Sequence, residues 1–169
     1  MWPCRFHEDK ALESLLRRDT PELWSDRTLA AHVDAMRRAL KGGGAVLVDP
    51  ADEGSTIVDL EPAMETTNGK AGNILFHTVM QLIEALAKKH REGGGGGGDH
   101  AGAGGYLCTG YDVYLSEEPC LMCSMALVHS RIRRVFFCRA MPDGGLKTLT
   151  KLHTIQSLNH LFEVFHLKL

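Results

Sequence analysis

Glu117-Glu118-Pro119-Cys120-Leu121-Met122-Cys123-Ser124-Met125-Ala126-Leu127-Val128-His129-Ser130 joins a predicted strand to a predicted helix and sets two thiols three residues apart. Residues at that spacing share a helix face, so Cys120 and Cys123 project together. Pro119 suits the first helical turn, where its missing N–H would have had no partner in any case. Unsatisfied N–H groups and the helix dipole at that end favour negative charge, which predicts two thiols that ionise more readily than a free cysteine. Such a pair is a good half-site for zinc. Glu118, just ahead of it, is expected to serve the helix N–H groups.

Working outward, Asp112-Val113-Tyr114-Leu115 reads as the strand that feeds this helix, and Arg134 to Cys138, rich in Val and Phe, as the strand that follows it. Further back, Leu29, Val33, Met36 and Leu40 fall at helical spacing behind Ser25 or Asp26 as cap, with Arg37, Arg38 and Lys41 towards the carboxyl end. Ala45 to Val48 and Ser55 to Leu60 are short apolar runs joined by a turn at Asp49 to Gly54. Leu75, Val79, Leu82, Ile83 and Leu86 form an apolar stripe behind Asn73 as a plausible N-cap. After the cysteine helix, Met141 to Gly145 reads as a turn, Leu149 to Leu161 as partly helical and Phe162 to Leu167 as a last strand. Strands alternating with helices predict an α/β sandwich. The expected organisation is an N-terminal extension over 1–24 and one zinc domain over 25–169, with a flexible Gly-rich insert at 93–105.

A chain of 169 residues can bury one sizeable core. Its formal charge of −2 offers no global attraction to nucleic acid, so contact with RNA must come from a local patch or a partner. Arg131, Arg133 and Arg134 are the candidate patch; a short charge cluster is more often a solvated face, and Arg131 reads equally as bound to a backbone carbonyl. An odd count of five cysteines, two in metal-like spacing, and no apolar leader predict a reducing compartment, cytoplasmic or nuclear. No run of about 18 apolar residues predicts a membrane span. Cys4, Cys108 and Cys138 read as buried or incidental thiols. A zinc knuckle needs a second close cysteine pair, which is lacking, so the third ligand must be sought elsewhere. His77 is the candidate, because it opens its helix as Cys120 opens its own.

His77-Thr78-Val79, followed by Pro119-Cys120-Leu121-Met122-Cys123, resembles the His-x-Glu and Pro-Cys-x-x-Cys signature of the zinc-dependent cytidine and deoxycytidylate deaminase superfamily. Asn73, Glu118 and the run Met125 to Ile132 are similar to its tRNA adenosine deaminase branch, and the likeness covers about residues 28 to 169. The resemblance implies a three-layer α/β/α sandwich with a mixed sheet of about five strands, and a Zn2+ ion held by His77, Cys120 and Cys123.

One position departs from that pattern: Val79 stands where active members carry the glutamate that shuttles a proton. Valine cannot do so, and loss of a positioned general acid–base costs about 10²- to 10⁴-fold. Glu84, about two turns along the helix, and Glu118 are poorly placed to substitute. Within the branch, His-x-Val, Tyr106 to Asp112, Leu158-Asn159-His160, Phe162 to Phe165 and Phe6 to Asp9 are similar to the non-catalytic subunit of the eukaryotic heterodimer. This implies a pseudoenzyme that pairs with a catalytic subunit converting adenosine to inosine at the tRNA wobble position, with tRNA reached through the complex. That subunit carries an upstream RNA-binding domain by family pattern, so the expectation is a shortened form or a fragment. The competing readings are an active zinc-dependent nucleoside or nucleobase deaminase with another proton shuttle, and a zinc-stabilised interaction module unrelated to RNA. The carboxyl-terminal segment near Leu169 is expected to fold back over the fourth zinc position.

Overall fold

The computed structural model describes residues 26–42, 44–51, 55–60, 77–92 and 108–167. The N-terminal extension, Asn73, the Gly-rich insert and Leu169 lie outside the described residues. Helix α1 (Asp26–Gly42) precedes strands β1 (Ala45–Asp49) and β2 (Ser55–Leu60). Helix α2 (Thr78–Glu92), strand β3 (Asp112–Glu117), helix α3 (Leu121–His129) and strand β4 (Arg134–Arg139) follow. A single 3-10 turn at Leu152–Thr154 and strand β5 (Glu163–His166) complete the order.

The sheet order is β2-β1-β3-β4-β5. β1 runs antiparallel to both β2 and β3, while β3, β4 and β5 are mutually parallel neighbours, so the sheet is mixed as expected. Parallel neighbours need a crossover, and α3 is the one between β3 and β4. In the β1–β2 hairpin, the Asp49 carboxylate accepts the Ala51 N–H at 2.8 Å, the local bond by which Asp initiates turns.

Alternation along the strands sorts their side chains into two cores. On one face Val46, Val48, Tyr114, Phe136 and Phe165 pack under Val33, Ala35, Met36 and Ala39 of α1. On the other, Leu47, Val113, Leu115, Val135 and Phe137 pack against Val79, Leu82 and Leu86 of α2 and Cys123, Leu127 and Val128 of α3. Helices therefore cover both faces, with α2 and α3 side by side. The small Ala35 and Ala39 let α1 approach closely over an aromatic row, in which Tyr114 stacks on Phe136 at 4.7 Å and Phe136 on Phe165 at 4.8 Å. His32, to which the sequence assigned nothing, is buried in this layer with Nδ1 bonded to the Tyr114 hydroxyl.

Two elements differ from expectation. Leu149 to Leu161 yields one 3-10 turn instead of a helical stretch, because only Leu152 of its apolar residues near the turn is buried while Leu149 and Ile155 stay exposed. Without a continuous apolar face, a helix there has nothing to pack. Pro119 lies outside α3 rather than in its first turn. Cys120 is the N-cap, with extended backbone at φ −63° and ψ 171°, and the Pro119 carbonyl instead accepts the Gly145 N–H at 2.8 Å.

Candidate metal centre

Two helix starts converge on the site. The His77 carbonyl accepts the Gln81 N–H at 3.1 Å, so His77 stands immediately ahead of α2. The Cys120 carbonyl accepts the Ser124 N–H at 2.9 Å, so Cys120 stands in the same place ahead of α3. Because α2 and α3 pack together on one sheet face, His77 Nδ1 and Cys120 Sγ come within 3.3 Å. Cys123, one turn into α3, completes a triad whose ligand atoms all lie within 4.8 Å of one another. Tetrahedral zinc, with bonds of about 2.3 Å to sulfur and about 2.0 Å to nitrogen, sets its ligand atoms about 3.5 to 3.8 Å apart. One imidazole and two thiols at this separation fit that ion, with no fourth ligand among the described residues.

Burial opposes the expected ease of ionisation at Cys123. It pushes the thiol up to about 12, and the neighbouring Cys120 and the Asp143 carboxylate push the same way. Loss of water outweighs the helix end here, and a coordinated cation would reverse the balance by deprotonating the thiol outright. Cys108 and Cys138, read as incidental thiols, are likewise free, and burial raises both to about 11.

The triad opens into a cleft of about 310 Å³, walled by Val79, Ser116, Met141 and Asp143 among others. Val79 is 3% exposed and belongs to the core beneath the cleft, so the position next to the triad is apolar. Glu84 is exposed on α2 and is no part of the cleft lining.

Glu118 does line the cleft, but it serves a different set of donors from the one expected. Its carboxylate accepts the N–H groups of Met141, Leu146, Lys147 and Thr148 together with the Thr148 hydroxyl. Burial opposes its ionisation, yet the bonds from Thr148, Lys147 and Met141 outweigh that and hold its pKa below the usual carboxylate value. Glu118 thus organises the loop after β4. A Cβ on Gly144 would come within 2.0 Å of its carboxyl carbon, and one on Gly145 within 2.6 Å of the Ser124 hydroxyl, so only glycine allows this loop to close on α3. The signal was in the sequence as Gly144-Gly145, read there as a plain turn.

The three arginines part company. Arg134 is buried beside Asp112, with Nη2 at 2.6 Å and Nε at 2.9 Å from its carboxylate oxygens, and is engaged in the sheet. Parallel register between β3 and β4 makes these two residues direct neighbours, which the sequence spacing could not reveal. Arg131 is half-buried with φ 58°, at the position that ends α3 through bonds from its N–H to the Val128 carbonyl and from Ile132 to Leu127. Arg133 alone of the three is exposed.

Residues 25–139 match the model of the cytidine and deoxycytidylate deaminase zinc-binding region. The chain belongs to that family, and its sheet and helix layers are those of the cytidine deaminase fold. A "probable inactive tRNA-specific adenosine deaminase-like protein 3" of Mus musculus is 35% identical over 97% of this chain and 54% of its own length. The "tRNA-specific adenosine deaminase subunit TAD3" of Saccharomyces cerevisiae is 38% identical over 72% of this chain and 36% of its own length. A solved chain from structural studies of A-to-I editing by tRNA:A34 deaminases covers 80% of this chain and 98% of its own, at 20% identity and a TM-score of 0.60. The chain spans about half the length of the curated mouse relative.

Proposed function

We infer that this chain is a non-catalytic, zinc-binding subunit of a tRNA-specific adenosine deaminase, supporting a catalytic partner that converts wobble adenosine to inosine. The observation that carries the reading is Val79. It is buried beside an intact His77–Cys120–Cys123 triad, so the donors for zinc are kept while the neighbouring position offers no proton carrier. Of the three cleft carboxylates, Glu118 is saturated by loop donors and Glu117 is paired with Arg139 at 2.9 Å, while Asp143 belongs to the loop after β4 and not to the position on α2 where active members carry the shuttle. Zinc then serves to tie the starts of α2 and α3 together.

Pairing with a catalytic subunit is supported by apolar side chains left in solvent on the same two helices. Met80 of α2 and Leu121 and Met122 of α3 are 37%, 43% and 40% exposed. Apolar surface marks interfaces where it is contiguous, and α2 and α3 pack side by side. Transfer RNA is reached through the assembled complex, with Arg133 as the one arginine of its cluster free to face phosphate, in the cytoplasm or nucleus. Among the described residues no helix is long and apolar enough to cross a membrane.

Inosine formation in an anticodon-stem substrate tests the reading, using the zinc-loaded chain alone and then mixed with a catalytic tRNA adenosine deaminase subunit, each gel-filtered beforehand. Activity only in the mixture, with co-elution, is the expected result. Activity from the chain alone would overturn it.

A further inference from the structure

Three carboxylates line the cleft over the triad: Glu117, Glu118 and Asp143. Glu118 is occupied by five donors from the loop, and Glu117 by Arg139. Asp143 makes no hydrogen bond or ion pair among the described residues, although its backbone is firmly placed. Gly144, the next residue, pairs with the metal ligand Cys120 in an isolated antiparallel bridge and donates its N–H to the Met141 carbonyl at 3.0 Å. Gly145 donates to Pro119 at 2.8 Å, and Gly144 lies against the Glu118 carboxyl. The turn carrying Asp143 is thus latched on both sides to the segment that holds the thiols. Its charge is close enough to Cys123 to be felt by that thiol.

We propose that Asp143 is an outer-sphere residue of the metal centre, its carboxylate accepting a hydrogen bond from the group that fills the fourth coordination position. This rests on the zinc reading above. Asp143 is not among the residues whose ligand atoms lie within 4.8 Å of one another, which sets it outside the ligand set. Two thiolates already neutralise a divalent cation, so a further carboxylate beside the fourth position selects for a neutral donor that carries hydrogen, such as water, and against anions. Residues that hold ligands from behind in this way tune metal affinity about 10- to 100-fold.

The test uses the full chain loaded with zinc, and in parallel with Co2+ as a spectroscopic replacement, for the wild type, Asp143→Asn and Glu117→Gln. Asp143→Asn should release zinc to a colorimetric chelator roughly 10- to 100-fold faster. Its Co2+ visible absorption should also respond to azide at lower concentration than the wild type's. Glu117→Gln, which alters a paired carboxylate in the same cleft, should change neither. Wild-type behaviour of Asp143→Asn in both assays would overturn the proposal while leaving the zinc reading intact. An equal effect from Glu117→Gln would reduce it to general cleft charge, and collapse of the tetrahedral Co2+ spectrum in Asp143→Asn would make Asp143 a direct ligand. Failure of the wild type to take up either metal with thiolate charge-transfer absorption would overturn the zinc reading itself.

Discussion

His77 and Cys120 stand in equivalent places, each immediately ahead of a helix, and their Nδ1 and Sγ atoms meet at 3.3 Å although 43 positions separate them. Each is held by the backbone bond that starts its helix, so neither needs a partner residue to orient its main chain. Replacing His77 with Ala removes a ligand without touching the core. Zinc retention should fall by more than the roughly 10- to 100-fold that a change behind a ligand costs, with the far-ultraviolet circular dichroism of the zinc-loaded protein little altered. Metal analysis after dialysis measures this; an unchanged zinc content would remove His77 from the site.

Glu118 and Gly144 are coupled through space. Glu118→Ala strands several loop donors, at about 2 kcal/mol or more. Gly144→Ala forces a Cβ into the carboxylate and should cost about 1 to 3 kcal/mol. The double variant should lose less than the two single losses together, by at least about 0.5 kcal/mol, because the first change removes the group that the second one meets. Urea denaturation of the four proteins reads the coupling, and strict additivity would contradict it.

Arg133 and Arg134 are adjacent in sequence and opposite in consequence. Arg134→Ala leaves Asp112 buried without its guanidinium and should cost about 3 to 5 kcal/mol. Arg133→Ala changes an exposed side chain and should stay within about 0.5 kcal/mol of the wild type. Thermal unfolding distinguishes them. Comparable losses from the two would mean that the pairing is misassigned.

Acid should destabilise the fold through two buried histidines. Burial, then the charges of Arg134 and Arg133, lower His32 to about 3; burial, then Lys151, lowers His153 to about 4. In the unfolded chain both protonate near the ordinary histidine value of 6.5, so the unfolded state binds more protons below that pH. Stability is thus fully present above about 6.5 and is lost as pH falls towards 3 to 4, by up to about 1.4 kcal/mol per pH unit for each histidine. His32→Phe should flatten the slope of unfolding free energy between pH 6.5 and 5, whatever it does to the absolute stability. An unchanged slope would show that His32 does not stay neutral in the fold.

Reading residues 117–130 was enough to determine the strand–helix unit and the thiol pair, which are properties of local periodicity and of side-chain type that a chain displays without folding. The family, and the mixed five-stranded sheet that it implies, came from the likeness of that motif and of His77-Thr78-Val79 to a known signature. Val79 was legible from side-chain type as well: an apolar residue cannot carry a proton wherever it lies.

Tertiary structure decided what depends on burial and register. Burial raised the Cys123 thiol against the helix end that should have lowered it, since loss of water costs more than a helix end returns. Parallel pairing of β3 with β4 set Arg134 directly beside Asp112. Glu118 turned from the helix beside it to a loop more than twenty residues ahead, because two glycines let that loop come within reach. Sequence distance carries no information about such contacts; they exist only once the sheet has brought its ends together.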